Sequence, residues 1–271
     1  MTSILLAGAG STISSGATPL LLDTYSGAAA AYSLRKLRNG YTGSAIRVRE
    51  NGTSSEADIG FDGSGNLDTT ALASHCGANS GFVVTWYDQS GNAKNATQAT
   101  AASQPAIVSS GSLIVNALGS PSVLSFRDAF GFPGSSSLSA SVSLTDTKTV
   151  ILVGQGTNFH NWITGDNLLF TSATSTQESW SVGGFVISRS ITQSVSQVYI
   201  RAAIINGASS SIRRNGAELN SGTFGVPISW GQTAVFGGPL KYIYYSELIF
   251  TKNTDCLNME AAINDYYGVY A

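Results

Sequence analysis

Apolar and polar positions alternate with a two-residue period along much of this chain. In Ser44 to Glu50, SAIRVRE, Ile46 and Val48 take one side while Arg47 and Arg49 take the other, the pattern of a half-buried strand closed by the turn pair Asn51-Gly52. The β-rich run from Phe82 to Tyr87 breaks at Ser90-Gly91-Asn92, which predicts a central strand followed by an exposed loop. Further strands are expected at Ala106 to Val108, Ser122 to Phe126, Thr149 to Val153, Trp180 to Ile187, Val198 to Ile205, Ser211 to Arg213, Ala234 to Phe236 and Tyr242 to Phe250, each bounded by Gly, Pro, Asn or Ser. Between Arg214 and Ala217 the pair Asn215-Gly216 predicts a two-residue hairpin turn, because Asn and Gly accept the positive φ angles it needs.

Two segments carry a helical pattern instead. Ser26 to Leu37 has an alanine run, then Leu34 and Leu37 at helical spacing and a stop at Asn39-Gly40. Near the end, Thr254 or Asp255 can cap a helix whose Leu257, Ala261 and Ile263 face the core and which Gly268 terminates. The first 24 residues are rich in Gly, Ser and Ala and read as an extended arm, 1–24, ahead of one domain, 25–271.

Composition supports an all-β reading. Charged residues are only 11% of the 271, against a typical quarter, and 30 are Gly, a mix that favours short strands and tight polar turns over solvated helices. The net charge of −2 shows no run of like sign, so a nucleic-acid partner is not expected. The densest basic cluster, Arg35, Lys36 and Arg38 with Arg47 and Arg49 following, reads as a solvated face. No stretch approaches the roughly 18 apolar residues of a membrane span, and the opening lacks the basic region of a signal peptide. Cys76 and Cys256 permit one bridge or two free thiols. With His75 and His160 they form no chelating spacing, so no metal or other cofactor is expected.

The candidate chemistry lies in loops. Asp88, Gln89, Ser90 and Asn92 of WYDQSGN can hydrogen-bond the backbone of their own turn, and Asp88 with Asn92 could also offer oxygens to Ca²⁺, though without an EF-hand spacing. Trp86 and Tyr87 end an apolar strand and read as core. His160 and Trp162, followed by Asp166, join an aromatic ring to polar side chains in an expected loop after TVILVG and are candidates for glycan binding.

The segments YSLRKLRNGYTGSAIRVRE, DIGFDGSGNLDTTAL and GFVVTWYDQSGNAKNATQATAASQPAIV resemble the N-terminal half of the α-L-arabinofuranosidase B catalytic domain. They are also similar to LamG-type, concanavalin A-like jelly-roll domains of phage structural proteins. The resemblance covers about Tyr25 to Phe126 and implies an all-β jelly-roll sandwich with a short N-terminal helix and a C-terminal helix. Retaining glycosidases place two carboxyl groups about 5 Å apart. Carrying the arabinofuranosidase pattern across sets Ile205 at the nucleophile and Pro239 at the acid/base position, and no cysteine pair near Asn161 to Ile163.

The resemblance to domains of phage structural proteins, strengthened by the arm and by these departures, implies a non-catalytic bacteriophage virion protein, a head decoration, fibre or tail-associated module. It would be made in the host cytoplasm and displayed on the virion surface. Leu20, Leu21 and Leu22 would anchor the arm to other virion proteins, with self-association, as a trimer by analogy, and contact with host surface glycan. The alternatives are a carbohydrate-active enzyme drawing on Glu178, Glu218 and Glu247, or a secreted carbohydrate-binding module.

Overall fold

The computed structural model describes residues 18–125, 136–143, 149–156, 160–164, 168–174, 177–182, 185–190, 192, 194, 196–223, 231–236 and 243–271. Helix α1 (Leu21–Thr24) precedes strands β1 (Ala28–Ser33), β2 (Ile46–Glu50) and β3 (Glu56–Ile59), then helix α2 (Thr69–Cys76). There follow β4 (Gly81–Trp86), β5 (Ala96–Thr97), β6 (Ala106–Ser109), β7 (Ser112–Leu113), β8 (Val123–Ser125) and β9 (Leu138–Ser143). The second half holds β10 (Thr149–Gly156), β11 (His160–Thr164), β12 (Leu168–Thr174), β13 (Gln177–Val182), β14 (Phe185–Ser190) and β15 (Val198–Ile204). It ends with β16 (Ser210–Arg214), β17 (Ala217–Gly222), β18 (Gly231–Phe236), β19 (Ile243–Thr251) and helix α3 (Cys256–Tyr267).

All the ladders are antiparallel. One runs β17-β16-β15-β10-β19-β1. A second runs β3-β2-β4-β5-β9-β18-β11-β12-β13-β14, with β8 linking β6 to β19. The result is the expected jelly-roll sandwich with a C-terminal helix. Two-fold alternation sorts the side chains of the first sheet. Val150, Leu152, Leu248 and Phe250 point into the sandwich core, while Ile151, Val153, Ile200, Ala202 and Ile249 face Met259 and Ile263 of α3. A sheet covered on both faces explains why Thr149–Val153 reads as an unbroken apolar run.

The expected helix over Ser26 to Leu37 is instead β1 and its following turn, and the short N-terminal helix lies just before it at Leu21–Thr24. Ala30 and Ala31 are 0% exposed, one facing each core cluster, and β1 pairs with β19. Burial on both sides with a full ladder overrides alanine's helical preference. Leu21 and Leu22, expected as an external anchor, are each 6% exposed and pack with α3 and β1; Leu20 is half-buried. The strand expected over Trp180 to Ile187 is a hairpin of β13 and β14, paired from Gln177↔Ser190 to Val182↔Phe185. In α3, Cys256, Met259, Glu260, Ile263 and Tyr267 are buried, whereas Leu257 is 59% exposed and Ala261 is exposed, so the helix is rotated from the expected face. Gly268 ends it in the left-handed region at φ 63°, as expected. Asn215 and Gly216 take φ 52° and 76° in the expected turn. Both cysteines are buried and unbridged, and no helix among the described residues is long and apolar enough to cross a membrane.

The β2–β3 turn is tied by Glu50, whose carboxylate accepts hydrogen bonds from the backbone of Gly52 and Thr53, the Thr53 hydroxyl and Asn79 Nδ2. These donors, the Thr53 hydroxyl foremost, hold its pKa down at about 2, from an ordinary 4.5. A carboxylate depressed in the folded state stabilises above its unfolded pKa, and that stability is lost as pH falls through the folded value. Glu50→Gln is therefore expected to lower Tm at neutral pH, with the difference from the parent shrinking as pH falls from 4.5 towards about 2. Thermal melts across that range check this; a difference independent of pH would remove Glu50 as the cause.

Candidate active site

WYDQSGN builds a clasp. Asp88, 4% exposed, accepts hydrogen bonds from the backbone N–H of Ala31 at 2.8 Å, Ser90 at 2.8 Å and Lys94 at 3.0 Å, and from Ser90 Oγ at 2.7 Å. Gln89, fully buried, accepts from Leu37 N through Oε1 and donates through Nε2 to the carbonyls of Ser33 and Arg35. Asn92 Nδ2 donates to the carbonyls of Ala28 and Ala29. The edge of β1 that lacks a strand partner among the described residues is thus satisfied by side chains and by the Gln89 backbone N–H, which donates to the Ala31 carbonyl, the accounting that buried backbone requires. Both carboxylate oxygens of Asp88 and the amide nitrogen of Asn92 are spent on this work. The motif is scaffold: Trp86 is 0% exposed, and half-buried Tyr87 turns its hydroxyl to Asp58 at 2.7 Å.

Of the basic cluster expected to be solvated, Arg47 is 40% exposed beside Glu56 and Asp58, whereas Arg35 enters one of three buried ion pairs among the described residues. Arg35 grips Glu247 through two bonds, Nε–Oε2 at 2.8 Å and Nη2–Oε1 at 3.1 Å, and Glu247 also accepts from Ser33 Oγ. Arg213 on β16 reaches Glu260 of α3 at 2.6 Å, tying the helix to the sheet. Arg201 on β15 approaches Glu178 on β13 at 3.5 Å, with relative side-chain exposures of 1% and 0%.

The Glu178 pair differs from the other two in place. Arg201 alternates with Ile200 and Ala202, which face α3, so it points into the sandwich, and Glu178 meets it there from the opposite sheet. The Arg201 and Arg214 guanidiniums lie 4.5 and 4.7 Å from the Tyr199 ring centroid. Neither oxygen of Glu178 accepts a hydrogen bond of ordinary geometry among the described residues. Burial raises the Glu178 carboxyl's pKa above its ordinary value, outweighing the downward pull of Arg201 and Arg214. The same burial lowers the pKa of Arg201.

Of the expected site residues, the backbone of His160 and Trp162 lies in β11, not a loop, because His160–Thr164 pairs with β12 and β18. Asp166 lies outside the described residues, as does Pro239. Ile205, at the resemblance's nucleophile position, is 2% exposed in the sandwich core. Of the three glutamates, Glu247 is clamped by Arg35, Glu218 is exposed on β17 in register with Arg213, and Glu178 is interior. Sequence reasoning named Glu178 but not its partners Arg201, Arg214 and Tyr199.

The fold is similar to that of two arabinofuranosidases of known structure. It superposes on an arabinofuranosidase crystallised with arabinofuranosyl-α-1,2-xylobiose with a TM-score of 0.62 and 16% identity, covering 93% of this chain and 65% of that one. A GH54 α-L-arabinofuranosidase carrying a cyclic sulfate inhibitor gives 0.62 and 15% over the same shares. A Trypanosoma rangeli sialidase is more distant, at 0.45 and 9%, covering 68% of this chain and 31% of the sialidase. The chain thus spans slightly less than two thirds of the arabinofuranosidases it matches. No protein-family profile and no curated protein matches the sequence. The expectation of a non-catalytic phage virion protein is corrected by the arabinofuranosidase matches: the likeness to these glycosidases extends over 93% of the chain, including the half where the sequence motifs fade.

Proposed function

We propose that this domain is a carbohydrate-active enzyme that hydrolyses arabinofuranosides, with Glu178 as its acid. The observation that carries the reading is a carboxyl inside the sandwich whose pKa burial raises. A general acid must still hold its proton near the working pH, and burial is the usual means of arranging this. Glu178 would protonate the glycosidic oxygen as its bond to the sugar C1 breaks; water then adds to C1, and the proton it loses returns to the Glu178 carboxylate. Arg201 and Arg214 would hold the carboxyl in place and stabilise it once it is ionised. Ile205 cannot serve as a nucleophile, so this reading departs from the two-carboxylate scheme of the resembled family. It also requires substrate to displace the cover over a carboxyl that is closed off here.

Hydrolysis of 4-nitrophenyl α-L-arabinofuranoside tests it, that compound having been soaked into a related GH54 structure. The parent is expected to release 4-nitrophenol, and Glu178→Gln, which keeps shape and removes the proton, to lower kcat by about 100-fold or more. A parent no faster than buffer, or a fully active Glu178→Gln of unchanged Tm, overturns the proposal.

A further inference from the structure

Two clefts meet at the ring of Tyr266 on α3, and Glu178 lines neither of them. The first, of about 350 Å³, lies between the Arg35–Asn39 segment and the turn Asp62–Asn66; the second, of about 250 Å³, lies towards Leu118–Pro121. Arg35, Asn66 and Tyr266 line both. Tyr266 is 47% exposed, yet its position is fixed: its hydroxyl donates to Asn66 Oδ1 at 2.6 Å, Arg35 lies 4.3 Å from its ring centroid, and Tyr267 meets it edge-on at 4.7 Å. The turn is equally fixed, because Asp62 Oδ1 accepts from the backbone N–H of Ser64 and Asn66, and Lys36 N donates to Gly65 O. An exposed aromatic ring held rigidly between a polar cleft and a more apolar one costs little further ordering when a ligand arrives.

The charge of the lining selects the ligand class. Arg35 is already neutralised by its two bonds to Glu247, and the first cleft sets one lysine, Lys36, against one aspartate, Asp62. That leaves no net positive field for a phosphate or an acidic group. What remains is the side-chain amides of Asn39 and Asn66, hydroxyls, glycine backbone and the ring of Tyr266, complementary to a neutral ligand with many hydroxyls and apolar ring faces. We infer that Tyr266 and the two clefts beside it form a second saccharide-binding site, which takes a neutral oligosaccharide across the exposed part of the ring. Its function is to hold a polysaccharide chain on the domain while the chemistry proceeds elsewhere. The binding event stands on its own geometry; only its purpose rests on the proposed hydrolase.

The experiment is an NMR titration of the full chain with xylotetraose and, separately, with inorganic phosphate, alongside the nitrophenyl arabinofuranoside assay. Xylotetraose is expected to shift the amides of residues 62–66 and 266 while phosphate leaves them in place. Tyr266→Ala is expected to weaken xylotetraose binding at least ten-fold without changing hydrolysis of the small nitrophenyl substrate. Asn66→Ala, which leaves the Tyr266 ring in the chain, is the second variant should Tyr266→Ala lose Tm. Binding that both variants leave unchanged, shifts confined to other residues, or a stronger response to phosphate would each overturn the inference. A chain that binds xylotetraose through Tyr266 but hydrolyses nothing upholds this site and removes the hydrolase; one that hydrolyses but shows no shift at these residues does the reverse.

Discussion

Asp88→Ala is expected to destabilise the domain by about 3 to 5 kcal/mol, because four donors lose one charged acceptor at once. A hydrogen bond to a charged group contributes about 1.5–3 kcal/mol, and a buried donor left without a partner costs about 1–3 kcal/mol. Ala31 N–H sits in the buried part of β1 with no described strand beside it, so its loss is felt in full, whereas Ser90 and Lys94 in the half-buried loop regain some water. Asp88→Asn keeps one carbonyl oxygen and is expected to cost clearly less. Denaturant unfolding of both variants is the check. If Asp88→Ala costs under about 1 kcal/mol, the clasp is not what fixes the edge of β1. The prediction separates the two readings of YDQSGN: a substrate loop would lose activity and keep its stability, whereas a clasp loses stability first.

The strands were legible where one local signal sufficed. SAIRVRE alternates, TVILVG is apolar throughout, and Asn215-Gly216 can hardly be anything but a hairpin turn; β2, β10 and the β16–β17 turn appear where the pattern sets them. Illegible were the features decided by partners distant in sequence. The alanines of β1 become strand because β19 and the Asp88–Asn92 loop approach from opposite edges, and nothing within a dozen residues announces either. Helix α2, with Asp68 capping Ala71 N–H, was missed although Asp68-Thr69-Thr70 is a recognisable start signal. The arginines misled for the same reason as the alanines. Arg35 pairs with a glutamate 212 residues away, so one member of a cluster that looks solvated along the chain is spent inside the molecule, while Arg47 stays 40% exposed. Glu178 is the sharpest case. Its sequence neighbourhood, TQESWSV, is that of an ordinary polar strand, and only burial beneath the facing sheet makes it an interior carboxyl whose pKa is raised against the downward pull of Arg201.

Trp86→Ala is expected to cost about 3–5 kcal/mol, the range for removing a large aromatic side chain from a packed core. Trp86 is among the largest fully buried side chains, belongs to the main sandwich cluster, and meets Tyr32 of β1 at a centroid distance of 6.0 Å and an interplanar angle of 53°. It therefore braces β1 against β4 from the inside while Asp88, two residues on, holds the same strand by its backbone. The size of the loss depends on how far β1 can collapse into the cavity, and Asp88 with Gln89 limits that collapse, which favours the upper part of the range. Trp86→Phe supplies the contrast. Among the described residues the indole Nε1 has no hydrogen-bond partner, so replacement by Phe removes a buried unsatisfied donor along with some packing, and the net cost should be well below that of alanine. Two residues so placed share one strand and should not act additively. The double variant Trp86→Ala with Asp88→Ala is expected to lose less than the sum of the singles, since once β1 is released from one side the other hold has less to secure. A sum that closes within about 0.5 kcal/mol would mean that packing and clasp stabilise β1 independently.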